Sequence, residues 1–175
     1  LAGFGVRNPE TNELEKQGTY PFVTVQLPIY NEMYVIERLI DAVAEFDYPR
    51  DRFEIHILDD STDETLEIVR KKVEEYKAKG FNIEQVLRKE RKGYKAGALK
   101  DGMTRAKGEF IAIFDADFLP RRDFLKKTIP HFRDEKIGVV QTRWEHFNEN
   151  YSLITKLQAL QLNVHFTVEQ SGRMQ

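Results

Sequence analysis

The segment FDADF, residues 114–118, sets two carboxylates one residue apart, Asp115 and Asp117, directly after the apolar run EFIAI. Carboxylates this close repel, and one is driven toward protonation unless a cation intervenes. A hard divalent ion, Mg²⁺ or Mn²⁺, resolves the conflict. Oxygen ligands suit it, and Mg²⁺ takes only one or two protein carboxylates beside substrate phosphates. If the backbone stays extended, alternate side chains share a side, so both carboxylates face one place. The competing reading is that these acids merely start the next helix, where acids are common.

Three other stretches carry similar candidates. PIYNE holds Pro28, Tyr30 and Glu32; Tyr30 either stacks on a planar base or covers its own loop. DDSTD opens with Asp59 and Asp60. One of its residues is expected to cap a helix, and one aspartate to accept hydrogen bonds from a base or a ribose. RKERKGYKAGAL contains Lys95 at a helix start, where the macrodipole disfavours a cation unless an anion is near. The small Ala96, Gly97 and Ala98 leave room for a phosphate. The rest of that run, Arg88, Arg91 and Lys92, reads as a solvated loop. Trp144 supports a sugar ring or packs in the core. His56 is expected to be a satisfied interior histidine. His131, His146 and His165 lack the H-E-x-x-H spacing of zinc hydrolases, and neither a G-x-S-x-G elbow nor a Walker loop occurs.

These stretches recur at regular places in an alternating pattern. PFVTVQL, FEIHIL and the weaker NIEQVL read as strands. EFIAIF reads as the most buried strand and IGVVQT as a further one. Met33, Ile36, Ile40, Val43 and Phe46 recur at helical spacing, as do Leu66, Val69, Val73 and Tyr76. Ser61 with Glu64 is a capping-box pattern, and Gly80 ends the second helix. A third helix is expected from about Tyr94 to Ala106. A fourth follows Pro120, with Phe124, Leu125 and Ile129 inward, and a last runs from about Ser152 to Gln170. Strand–helix repetition predicts an α/β fold with a mostly parallel sheet and helices on both faces. Ligands bind such sheets outside the carboxyl ends of the strands, which is where every candidate above falls.

The chain has 175 residues and a formal net charge of -2, which does not suggest a general nucleic-acid binder. Without cysteine, disulfides and thiolate metal sites are excluded. No stretch approaches the roughly 20 apolar residues of a membrane span. Residues 1–20 read as a lead-in and 21–175 as the working part. A start at Leu1 and a stop after an apolar-periodic segment suggest an excised piece.

PIYNE, ILDDSTDET, KAGAL and FDADF occur in the order and at about the spacing of processive family 2 glycosyltransferases. The chain resembles the GT-A domain of cellulose synthase-like enzymes, with GYKAGALKDGM, FDADFLPRRDFL and VVQTRWEHFN nearest the glucan and glucomannan (mannan) synthase-like branch. The resemblance implies a GT-A, Rossmann-like fold that is incomplete here. It implies an inverting hexosyl transfer from a nucleotide sugar, UDP-glucose or GDP-mannose, that extends a β-linked polysaccharide on a glycan acceptor. Tyr30 and Glu32 would line the nucleobase pocket with Pro28, an aspartate of the Asp59–Asp60 pair would contact base or ribose, and Lys95 would hold a phosphate. Asp115 and Asp117 would form the D-x-D motif holding metal and diphosphate, with Mg²⁺ or Mn²⁺ as cofactor. The chain departs from the family at Tyr94, where many cellulose synthases have histidine. It also shows no T-E-D-type base after Asp117, and its QTRW is one residue short of Q-x-x-R-W. The base is therefore expected beyond Gln175. Donor binding without robust transfer is expected, on a soluble segment held at the cytoplasmic face of a membrane by segments outside this chain.

Other classes share parts of this pattern. Haloacid-dehalogenase-like phosphatases use D-x-D at a strand end, but with Thr or Val where Leu119 stands. A receiver-like module pairs an acidic cluster with lysine, and a non-catalytic nucleotide-binding module remains open.

Overall fold

The computed structural model describes Gly18 and residues 20–142. The chain divides into two compact units, Leu1–Val139 and Val140–Gln175. The expected last helix, Trp144, His146 and His165 lie outside the described residues.

Strands β1 (Val23–Ile29), β2 (Phe53–Asp59), β3 (Ile83–Leu87) and β4 (Phe110–Ile113) form one parallel sheet in the order β3-β2-β1-β4. All seven residues of β1 and of β2 are buried, as central strands covered on both faces must be. The register pairs Ile29 with Asp59 and Asp59 with Leu87, so β1, β2 and β3 end level and their following loops emerge side by side. β4 pairs only as far as Gln26, after which Phe114 N–H donates to the Gln26 carbonyl at 3.2 Å. Pro28 lies on β1 past the end of that pairing, where its missing N–H deprives no partner.

Alternate positions on the strands face opposite helices. Val25, Leu27, Ile55 and Ile57 pack into one core with Ile36, Leu39, Ile40 and Val43 of helix α1 (Ile36–Ala44) and Val69 and Val73 of helix α2 (Thr65–Ala78). On the other face Leu58 and Val86 meet Ala98 of helix α3 (Tyr94–Arg105). A side chain at Gly102 would come within 2.7 Å of Gln26 Nε2 and 2.9 Å of Leu58, so glycine lets α3 press onto the sheet. Helix α4 (Phe124–Thr128) and the 3₁₀ turn Ile129–Arg133 complete the first core through Leu125 and Ile129.

The α3 face is unusually polar. Glu54, 1% exposed, accepts hydrogen bonds from Thr24 Oγ1 at 2.7 Å and Lys107 N–H at 2.8 Å. Burial pushes the Glu54 carboxyl up, but the Lys107 and Thr24 donors and nearby cations outweigh it and hold the pKa below the usual 4.5. A group with a depressed folded pKa stabilises fully above the unfolded value, and that contribution is lost as pH falls through the folded value. Acid unfolding followed in urea is therefore expected to steepen below about pH 4.5. Glu54→Gln is expected to flatten that limb relative to the parent chain; identical acid limbs would contradict the assignment.

The structure differs from the sequence-based expectations in several places. β4 lies at the sheet edge among the described residues, and its Ile111 and Ile113 are exposed, so EFIAIF is not the most buried strand. An apolar run does not reveal what covers it. Residues 137–142 form no strand, since strand propensity without a pairing partner does not make one. Pro120 is buried before α4 rather than in its first turn. Ser61 makes no cap to α2; the carboxylate of Asp63 accepts the Thr65 N–H at 3.0 Å instead. His56 is buried with Nε2 3.5 Å from Glu54 and 3.4 Å from Glu84, but among the described residues its Nδ1 has no partner, so there it is only half satisfied.

Candidate functional site

The loop after β1 is tied to the loop after β2. Asn31 takes a positive φ of 57°, a conformation its short polar side chain tolerates. From there its N–H donates to Ser61 Oγ at 2.9 Å, and its Oδ1 accepts the Thr62 N–H at 2.8 Å. This clasp sets Tyr30 beside Asp60. The carbonyl of Glu32 accepts the N–H groups of Val35 and Ile36, each at 3.1 Å, which ends the loop at the first turn of α1.

The adjacent aspartates have different surroundings. Asp59, 2% exposed, accepts from its own loop at Ser61 N–H (2.9 Å) and from Gln85 Nε2 (2.8 Å). It is consumed in holding the strand ends together. Asp60 takes a fork from Arg88, Nε to Oδ1 at 2.8 Å and a shorter contact from Nη2 to Oδ2. Both side chains are nearly buried, at 9% exposed for Arg88 and 6% for Asp60. The Asp60 carboxylate, by hydrogen bond and by charge, raises the Arg88 pKa beyond its already high value. Arg88 also donates to the carbonyls of Lys92 (3.0 Å) and Tyr94 (3.1 Å), so it fastens the loop that leads into α3. Nothing local marks Arg88 for this role: its partner lies 28 positions away.

Gly97 serves that same loop. A side chain there would meet the Lys92 carbonyl at 2.0 Å, so its smallness accommodates backbone rather than a phosphate. Ala98, by contrast, does line the cleft.

The D-x-D segment is a turn, not a continued strand. β4 ends at Ile113, and Phe118 N–H closes onto the Asp115 carbonyl at 2.9 Å. The flanking phenylalanines hold it. Phe114 is buried and stacks on Phe118 with centroids 5.6 Å apart, and it meets Phe124 edge-on at 4.8 Å. The apolar residues of FDADF anchor the turn while both carboxylates border the cleft. Lys95, in the first turn of α3, forms an ion pair with Asp115. The anion demanded by a cation at that end of a helix is thus present.

The cleft encloses ≈ 340 Å³, in the range of small-ligand sites. Of the eight candidate residues, Pro28, Tyr30, Glu32, Asp60, Lys95, Asp115 and Asp117 line it, together with Ile29, Arg91, Ala98 and Ala116. Asp59 does not. Arg91, read as part of a solvated run, stacks on Tyr30 with its guanidinium carbon 3.4 Å from the ring centroid.

Among the described residues no three His, Asp or Glu converge as a metal cage. The donor set at the cleft is two aspartates. It fits a hard ion that draws its remaining oxygens from a phosphate ligand and water, and does not fit a self-sufficient protein site.

A parallel sheet with helices on both faces and an acidic, lysine-bearing rim at its carboxyl edge defines a Rossmann-like domain of the GT-A class. Residues 24–173 match Glycosyl transferase family 2, and the chain belongs to that family. It is 44% identical over 163 residues to glucomannan 4-beta-mannosyltransferase 1 of Cyamopsis tetragonoloba, covering 90% of this chain and 31% of that protein. It is 43% identical over 168 residues to probable glucomannan 4-beta-mannosyltransferase 6 of Oryza sativa subsp. japonica, covering 93% and 29%. The chain therefore spans about a third of the length of these relatives. Among solved structures, the mannosyltransferase PcManGT from Pyrobaculum calidifontis, in complex with GDP-Man and Mn²⁺, superposes with a TM-score of 0.67 at 37% identity. That match covers 73% of this chain and 36% of the other. TarS 1–349 of S. aureus in complex with UDP gives 0.57 at 25% identity, over 75% and 40%. Among the described residues no helix is long and apolar enough to cross a membrane.

Proposed function

We propose that this chain is the donor-binding part of a glycosyltransferase that uses GDP-mannose, with a divalent metal, to build a β-linked mannan or glucomannan. The observation that carries the reading is the cleft itself. It gathers an aromatic ring, carboxylates, a lysine and the two D-x-D aspartates around one cleft, the chemical groups that a base, ribose, diphosphate and metal would need. Relatives named for 4-beta-mannosyl transfer and a structural neighbour holding GDP-Man favour guanosine and mannose over uridine and glucose.

In this reading Tyr30 stacks the base, Glu32 and Asp60 accept hydrogen bonds from base or ribose, and Pro28 shapes the floor. Lys95 moves from Asp115 to a diphosphate oxygen. Asp115 and Asp117 hold Mg²⁺ or Mn²⁺, which neutralises charge on the leaving diphosphate. The acceptor hydroxyl forms a bond to the anomeric carbon as the bond to the diphosphate breaks. The diphosphate leaves with the electron pair, and the hydroxyl proton passes to a base. From an α-linked sugar nucleotide, a β product means inversion. Lys95 contributes by electrostatic stabilisation placed before the reaction begins. In the intact protein a glycan acceptor and membrane-embedded segments complete the assembly, on the cytoplasmic face.

The test compares the two donors. Protection of the chain against thermal unfolding is measured with GDP-mannose and UDP-glucose, each with Mn²⁺. GDP-mannose is expected to give the larger shift in Tm. A larger shift with UDP-glucose would reassign the donor, and no shift with either would defeat the reading.

A further inference from the structure

Arg91 occupies both features assigned above to the nucleobase. Its guanidinium carbon lies 3.4 Å from the centroid of Tyr30 and 5.0 Å from that of Tyr94, and its Nε is 3.9 Å from Asp60 Oδ2. A planar group bearing N–H donors, laid on an aromatic face beside a carboxylate, imitates what a base would do there. A base cannot stack on the same face of Tyr30 while Arg91 lies on it.

The geometry points to Arg91 as an exchange residue of the donor site: it leaves Tyr30 when a base stacks there and pairs with the diphosphate instead. The inference rests on the donor reading proposed above. Three observations favour the diphosphate as its new partner. Asp60 is already held by the fork from Arg88, so it is a poor full partner for a second guanidinium. Arg91 lines the same cleft as Lys95, Asp115 and Asp117, where the diphosphate would lie. It sits in the loop between β3 and α3, where its side chain is 37% exposed and can turn without disturbing the core. A guanidinium is also suited to grip phosphate with two parallel donors. Base entry and phosphate capture are thereby linked through one side chain, so a nucleoside alone pays for the displacement without the return.

Opposite effects on two ligands test this. The full chain, Arg91→Ala and Arg91→Lys are titrated with guanosine and uridine alone, and with GDP and UDP in Mn²⁺, by NMR or calorimetry. Arg91→Ala is expected to bind the nucleoside about 3-fold tighter, because the competitor for the ring is gone. It is expected to bind the diphosphate about 10-fold more weakly, because a charge-assisted contact is lost. Arg91→Lys is expected to keep much of the gain in nucleoside affinity and to recover only part of the diphosphate affinity, since lysine restores the charge but not the two parallel donors. Parallel weakening of both ligands would mean that Arg91 holds the base directly, and no change in either would mean that it is a bystander. Both results overturn the exchange while leaving the donor site standing. Failure of the parent chain to bind GDP or UDP would overturn the donor reading and this inference with it.

Discussion

Asp117→Asn is expected to weaken GDP binding in Mn²⁺ about 100-fold, which is ~2.8 kcal/mol at 1.4 kcal/mol per decade. Asp115→Asn is expected to do nearly the same. The donor set has two carboxylates and, among the described residues, no third acid or histidine to replace one. Loss of either leaves the ion held by one protein oxygen and the diphosphate alone. The Asp115 variant also frees Lys95, which remains able to meet the diphosphate, so its loss should be slightly smaller. Both side chains of the Lys95–Asp115 pair are about half exposed, and exposed pairs contribute little to folding. Thermal unfolding of the unliganded Asp115→Asn variant should therefore match the parent chain. Calorimetric titration with GDP at fixed Mn²⁺ measures the first effect and a thermal melt the second. Full GDP affinity in the Asp117 variant would remove the metal from its assigned place.

Arg88→Met is expected to be the most destabilising change at the site, by ~3 kcal/mol, because it strands a nearly buried carboxylate. Arg91 is 3.9 Å from Asp60, too far to replace the fork. The change also releases the carbonyls of Lys92 and Tyr94, so the loop bearing Arg91 and the first turn of α3 bearing Lys95 lose their fastening. For a domain of this size, ~3 kcal/mol corresponds to a fall in Tm of roughly 6–12 °C. Urea unfolding should show the loss, and the double variant Arg88→Met with Asp60→Asn should recover more than half of it. Donor affinity should not return in the double variant. A cost below ~1 kcal/mol for Arg88→Met would mean that the pair is solvated and that the loop is held by other means.

The alternation of strands and helices was legible because β1 carries Val23, Thr24, Val25 and Ile29, β2 carries Ile55 and Ile57 among other apolar residues, and α1 and α2 carry an apolar stripe. The placement of the cleft followed from topology: a parallel sheet gathers its carboxyl-end loops on one edge, and the register Ile29–Asp59–Leu87 brings three of them level. What escaped the sequence reading depends on contacts between distant positions. Arg88 and Arg91 resemble any charge run until their partners, 28 and 61 residues away, come into view. Asp59 and Asp60 are chemically identical in the sequence, and only the pleat and the Gln85 amide separate a buried brace from a rim acceptor. Asp115 and Asp117 were expected to share a side through extended backbone. The structure puts both on the cleft through a turn pinned by Phe114 and Phe118. β4 misled because an apolar strand at the edge of the described sheet reads like one at its centre.

The most direct measurement is the metal dependence of nucleotide binding: GDP and UDP titrated calorimetrically into the chain, with Mn²⁺ and with chelator. Saturable GDP binding in Mn²⁺, weakened at least tenfold by chelation, is the result this site demands. GDP binding that ignores both chelator and the Asp117→Asn change, or no binding of either nucleotide, would contradict a donor cleft built around the D-x-D pair.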